Sequence, residues 1–183
     1  MTSLRNTLLD ATQASILDVG LRRTTLADVA RRAGVSRMTV YRQFDDLQTL
    51  VAALLTREIT ALLAEVDAEV APLATARERL VEACTRTVER LREHALFHRI
   101  LDLDPELLLP FVFERFGSSQ QASRELVAEQ LGHGIADGSV RDLDVESAAT
   151  TIVLIAQSFV FSARLVDQGA LKQLRHVLDR FLR

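Results

Sequence analysis

The stretch Thr24-Thr25-Leu26-Ala27-Asp28-Val29-Ala30-Arg31-Arg32-Ala33-Gly34-Val35-Ser36-Arg37-Met38-Thr39-Val40-Tyr41-Arg42-Gln43-Phe44 decides the fold. It reads as two short helices joined by a tight turn. Leu26, Val29, Ala30 and Ala33 recur at i, i+3, i+4 and i+7 and therefore share one face, and Thr25 stands where an N-cap belongs. Gly34 ends the first helix because glycine tolerates the positive φ that turns the chain, Val35 tucks into the angle, and Ser36 caps the second helix. In that second helix Val40 and Phe44, four apart, point inward. Arg37, Met38, Thr39, Tyr41, Arg42 and Gln43 are left outward, and these are residue types that read a DNA groove.

The run resembles the DNA-binding signature of the tetracycline-repressor (TetR) family. That signature is a Thr-Thr-x-x-x-Ile-Ala element followed by Ala-Gly-Val-Ser-x-x-Thr-x-Tyr-x-x-Phe, and nearly every position is met. A preceding helix over 3–19 has Leu8, Ala11 and Ile16 on its apolar face and ends at Gly20. The specific match covers roughly the first 50 residues; beyond them the likeness is architectural. The resemblance implies phosphate contacts from Thr25, Ser36, Thr39 and Tyr41, base reading by Arg37, Met38 and Arg42, and Gln43 in either role. Where the family often carries a lysine beside the next helix cap, this chain has Leu47. With only Thr2 and Ser3 ahead of the first helix, no basic arm is expected in the minor groove, so reading is expected in the major groove.

Charge distribution agrees with that placement. The chain has 183 residues and a net charge of −3, which alone speaks against nucleic acid. Yet residues 1–45 hold seven arginines against four aspartates, a balance of +3 that leaves −6 for the remainder. Within 22–42 the count is six arginines to one aspartate, a compact patch able to neutralise phosphates. A solvated helix surface is the bland alternative, and coincidence with the helix-turn-helix disfavours it. At 48 % hydrophobic the chain can bury a sizeable core. One cysteine, Cys84, excludes an internal disulfide framework and fits a reducing compartment; with neither a signal peptide nor a membrane span in view, a cytoplasmic protein is expected.

The rest reads as helices. Asp45-Asp46 caps a run over Leu47–Val70 that at 1.5 Å per residue is roughly 36 Å long, a lever joining the DNA-reading unit to the part behind it. Pro72 closes it. Thr75-x-x-Glu78 is a capping box opening a helix with Leu80, Val81, Cys84, Val88 and Leu91 inward. A short helix near 96–103 comes next, then Asp104-Pro105 as N-cap and first residue of another, with a kink at Pro110 and a restart at Gly117-Ser118-Ser119 before a run to Ala136. Gly138 ends that run, Asp144 caps an almost wholly apolar helix from Val145 to Val166, and after Gly169 an amphipathic helix carries Leu171, Leu174, Leu178 and Phe181. Thr150, Thr151, Gln157, Ser158 and Arg164 exclude a membrane span there. A helix without a polar face needs cover on more than one side, so the late pair is expected to form a homodimeric four-helix bundle through Phe159, Leu171, Leu174, Leu178 and Phe181.

No constellation for chemistry emerges. Gly132-x-Gly134-x-x-x-Gly138 misses the spacing of a dinucleotide fingerprint and comes after a helical pattern, so it is read as a helix end. His94, His98 and Asp102 would share a face of one continuous helix, but no further ligand is evident and no metal or cofactor is expected. His94, Phe97, His98, Phe111, Phe116, Gln157 and Phe161 are candidates to line an apolar effector pocket. The expected protein is all-α: residues 1–46 a three-helix DNA-binding domain, 47–183 a helical domain for effector binding and dimerisation. Its expected partners are double-stranded DNA with a palindromic operator, a small apolar effector and a second copy, with no membrane. A constitutive DNA-binding scaffold, or an enzyme or carrier working from the C-terminal pocket, are the alternatives.

Overall fold

A computed structural model describes residues 3–108, 118–162 and 169–183. The helices are α1 (Leu4–Val19), α2 (Leu26–Arg32), α3 (Arg37–Tyr41), α4 (Leu47–Val70), α5 (Ala76–Glu93), α6 (Ala95–Leu103), α7 (Ser118–Ala136), α8 (Val145–Phe161) and α9 (Gly169–Leu182), with a 3-10 turn at Pro105–Leu108. Among the described residues there is no strand, so the all-α expectation holds. None of the described helices is long and apolar enough to cross a membrane. The chain divides into two compact units: the described residues of Met1–Glu58 with His94–Gly117, and those of Ile59–Glu93 with Ser118–Arg183.

In the first unit α1 packs on α2 and α6, and α2 on α3. Its core is Leu8, Ile16, Val29, Val40, Phe44, Leu50, Leu54, Leu96 and Ile100, all but closed to solvent. Ser3 caps α1 through Asn6 N–H at 3.3 Å. Asp46 caps α4 by accepting from Thr49 N–H at 2.7 Å, as the sequence suggests. Arg57, late in this unit's part of α4, donates to Asp10 at 2.6 Å and to Gln13 Oε1 at 3.3 Å, which ties α4 to α1.

In the second unit α5 packs on α7, α8 and α9, and α8 on both α7 and α9. The capping box is formed in both directions: Thr75 N–H donates to Glu78 and Glu78 N–H to the Thr75 hydroxyl, each at 3.2 Å. A second cap reaches the same helix from the turn after α7, where the Asp137 carboxylate accepts from Ala76 N–H at 3.0 Å and from Ser139 N–H at 2.9 Å. The Ser139 side chain first, and then these two backbone N–H groups, hold the Asp137 carboxyl at about 2 instead of the ordinary 3.8. A depressed carboxyl contributes stability that is present above its unfolded value and lost as pH falls through the folded one. Acid unfolding of wild type should therefore steepen between about pH 4 and about pH 2, and Asp137→Ala should flatten that limb. A limb unchanged in Asp137→Ala would show that the cap carries no weight.

Gly134 in α7 explains one of the three clustered glycines. A Cβ there would lie 2.4 Å from Val140 Cγ2, so glycine is what lets the buried Val140 close over the helix, its N–H bonded to Gly134 O at 2.8 Å. Cys84 is buried in α5 as expected, and burial pushes its thiol up to about 12.

Three expectations are corrected. Asp104 ends α6 and turns its carboxylate away from the segment that follows, and Pro105 opens a 3-10 turn over Pro105–Leu108. The described part of α8 ends at Phe161, with Ser162 as its cap, rather than at Val166; residues 163–168 lie outside the described ones, as do Pro110 and its kink. In α9, Leu174 is 0 % exposed and Leu178 equally closed within a single chain, so both belong to its own core and not to a free face. The large apolar side chains left exposed on α8 and α9 are instead Leu154, Phe161 and Val177.

Candidate nucleic-acid interface

The turn between α2 and α3 is a Schellman closure. Val35 N–H donates to Ala30 O at 3.0 Å and Gly34 N–H to Arg31 O at 3.3 Å, with Gly34 at φ +67°. A Cβ at Gly34 would meet nothing, so only the left-handed backbone demands glycine there. Ser36 then caps α3, accepting from Thr39 N–H at 3.1 Å. The two hydroxyls of Ser36 and Thr39 also lie 2.9 Å apart, so one hydroxyl hydrogen is engaged between them and the other is left for a ligand.

Val40 and Phe44 are buried, as the spacing requires. The helix proper stops at Tyr41, but Arg42 N–H still reaches Met38 O and Phe44 N–H reaches Val40 O, each at 3.0 Å, so the last turn extends beneath Phe44. Arg37, Arg42 and Gln43 are exposed, with Met38 at 69 % and Tyr41 at 53 %. Thr39 is half-buried. A helix anchored from below thus holds two large apolar-bodied side chains in water.

Thr25 caps α2, yet its hydroxyl hydrogen is already given to Asp28 Oδ2 at 2.6 Å. That bond, with Arg31 donating to the same carboxylate at 2.9 Å, holds the Asp28 carboxyl below its ordinary value. Among the sequence-derived contact residues, Thr25 thus has no hydroxyl donor in hand.

One contact was not legible in the sequence. The loop between α1 and α2 is fastened to the end of α6: the Asp104 carboxylate, nearly closed to solvent, accepts from Arg22 N–H at 3.1 Å and from Arg22 Nε at 3.3 Å. Arg22 also pairs with Glu106, and Arg99 of α6 donates to Asp18 O at 3.2 Å. Asp104 and Arg22 stand 82 positions apart, and no local pattern announces the pair.

The pocket candidates are distributed between the units. His94, Phe97 and His98 fall in the first. His94 precedes α6 as its N-cap residue instead of lying within it; its Nε2 faces Glu58 at 3.5 Å, its ring meets Phe97 edge-on at 5.4 Å, and its Nδ1 is buried without a partner. His98 turns to Asp102 at 2.8 Å, so the two histidines do not converge. Gln157 and Phe161 belong to the second unit, where Gln157 accepts from Gln120 at 3.1 Å. Phe111 and Phe116 lie outside the described residues. Of the interface candidates, Phe159, Leu171 and Phe181 are half-buried, and Arg141 stacks over the Phe181 ring at 5.5 Å.

Comparison with known proteins points one way. Residues 8–54 match the family described as bacterial regulatory proteins, tetR family. An HTH-type transcriptional regulator of Mycobacterium bovis is 38 % identical over 180 residues, spanning 96 % of this chain and 92 % of its own length. The Rhodococcus erythropolis transcriptional repressor QsdR of the TetR family superposes with a TM-score of 0.77 at 15 % identity, over 98 % of this chain and 94 % of its own. RolR in complex with the ligand resorcinol superposes with a TM-score of 0.77 at 15 % identity, over 98 % and 87 %. The fold and the helix-turn-helix define a DNA-binding transcriptional regulator. The chain belongs to the TetR family.

Proposed function

We propose that the chain acts as a homodimeric, ligand-responsive repressor of a palindromic operator. The observation that carries this reading is the outer face of α3, where Arg37, Met38, Tyr41 and Arg42 stand exposed on a helix seated by Val40 and Phe44. Arg37 and Arg42 suit guanine edges through a bidentate fork, and Met38 suits a thymine methyl. Ser36 with Thr39, and the Tyr41 hydroxyl, suit phosphates; Thr25 suits them less, because Asp28 holds its hydroxyl. Residues 1–46 would carry the DNA contacts and 47–183 the regulation, with α6 packed against α1 as the element that the regulatory part shares with the reading head.

Two recognition helices read a palindrome only at a separation near one helical turn, about 34–36 Å. The exposed Leu154, Phe161 and Val177 supply an apolar face for a second copy, in place of Leu174 and Leu178. A small effector is supported by the unpaired Nδ1 of His94 beside Phe97, a polar point in an aromatic setting, and by the resorcinol held in the similar fold of RolR. Effector binding would shift α4 and α6 and change the spacing of the two α3 helices.

The test is selection of a duplex from a random-sequence pool, then footprinting and titration with small-molecule extract. A palindromic footprint that extract dissolves is expected. A footprint indifferent to extract favours a constitutive scaffold, and no selection at all sinks the reading. Within the site, Tyr41→Phe should weaken all duplexes by one factor, whereas Arg37→Ala should relax one base position per half-site by about 1–3 kcal/mol. The reverse pattern would overturn this division of labour.

A further inference from the structure

We infer that Arg5 and Arg23 are phosphate contacts outside α3, an inference that rests on the reading of α3 as the helix that enters the groove. The seven arginines of residues 1–45 are not equivalent. Arg22 is tied to Asp104 and Glu106, Arg31 to Asp28, and Arg32 to Asp18. Arg5, Arg23, Arg37 and Arg42 are exposed and have no carboxylate partner among the described residues. A paired guanidinium offers a phosphate little net charge; an unpaired one releases a counterion from the DNA.

A five-residue α3 is about 7.5 Å long and presents few side chains, so further phosphate contacts fall to cations on neighbouring segments. At the C-terminal end stands Phe44, buried and hydrogen-bonded to Val40 O, and the Arg5 guanidinium carbon lies 4.8 Å above its ring centroid. Stacking on a ring fixes a guanidinium without cancelling its charge, which an ion pair would do. Arg5 comes from the first turn of α1, so the ring holds a cation from a distant segment at the end of α3. Arg23, for its part, immediately precedes Thr24, which is buried with its hydroxyl on Gly20 O at 2.9 Å and near Ser15 at 3.2 Å. That anchor fixes the backbone of Arg23 at the entry to α2, next to Thr25. The unpaired cations are thus Arg5, Arg23, Arg37 and Arg42, while the paired ones serve the fold.

The experiment is a salt titration, from about 50 to about 200 mM, of binding to a duplex that the wild-type chain selects from a random-sequence pool. Arg5→Ala and Arg23→Ala should each reduce the log–log slope by about 0.9 per bound copy and weaken selected and mixed-sequence duplexes by the same factor. Arg5→Lys should retain the slope. Removing a whole ion pair, Arg32→Ala with Asp18→Ala, should leave the slope as it was. Melting temperatures identify any variant that fails to fold, for which Arg5→Gln and Arg23→Gln are the substitutes. An unchanged slope in folded Arg5 and Arg23 variants, beside a reduced one in Arg37→Ala, would overturn this inference alone. A wild-type chain that selects no duplex would overturn it together with the DNA reading.

Discussion

Leu174→Glu is expected to unfold the C-terminal unit rather than merely to separate two copies. Leu174 is fully buried within one chain, with Ala170, Leu178 and Leu182 also buried at helical spacing along α9, and α9 packs on both α5 and α8. A carboxylate there would lose its water with no cation provided, at a cost of about 3–5 kcal/mol, a large share of a domain's total stability. Loss of the cooperative thermal transition, read by far-ultraviolet circular dichroism of the helices, is the expected result. Leu154→Glu is the contrasting variant: at 49 % exposure its side chain is already half in water, so the fold should change by no more than about 0.5 kcal/mol. In the proposed dimer, sedimentation of Leu154→Glu should nonetheless fall to the 20.4 kDa of a single chain, because a charge on each of two facing copies would block the apolar contact. A Leu154→Glu chain that still sediments as a dimer would place the contact elsewhere, and a fully folded Leu174→Glu would refute the burial argument itself.

Why the sequence misassigned Leu174 is instructive. Helical spacing told correctly that Leu174 and Leu178 lie on one apolar face of α9, but periodicity gives a direction and not the identity of the surface that covers it. The face is covered from within the chain. For α8 the sequence carried the complementary clue, since a helix apolar almost all round cannot be hidden by one core, and Leu154 and Phe161 do remain outside. Local signals fared best: the caps at Thr25, Ser36, Asp46, Thr75 and Asp144, and the turn at Gly34, each depend on residues within a few positions and are read directly. Signals that depend on distant partners were silent or misleading. Asp104 before Pro105 has the form of an N-cap, and the group that turned its carboxylate elsewhere was an arginine in a different part of the chain. His94 and His98 have the spacing of one helix face, but α6 begins between them and sends each to a different acid.

Asp104 also gives the second large effect. Its carboxylate holds two donors of Arg22, one of them the main-chain N–H, in a position almost closed to water. Asp104→Ala removes the acceptor and leaves that N–H without a partner, which should lower stability by about 1–3 kcal/mol. Asp104→Asn keeps a carbonyl for the N–H and loses only the charge, so its cost should be clearly smaller. The guanidinium itself contributes little to either loss, because the Arg22 side chain is mostly in water and also has Glu106. The bond joins the end of α6 to the loop that leads into α2, and this sets where the loss is felt. In Asp104→Ala the amides of Gly20–Arg32 should exchange hydrogen faster, by more than the global loss accounts for. Exchange that accelerates uniformly along the chain would mean that Asp104 supports the fold in general. Exchange confined to the loop and α2 would mean that α6 holds the reading head in place through this carboxylate, and a displacement of α6 would then reach α2 without passing through α4.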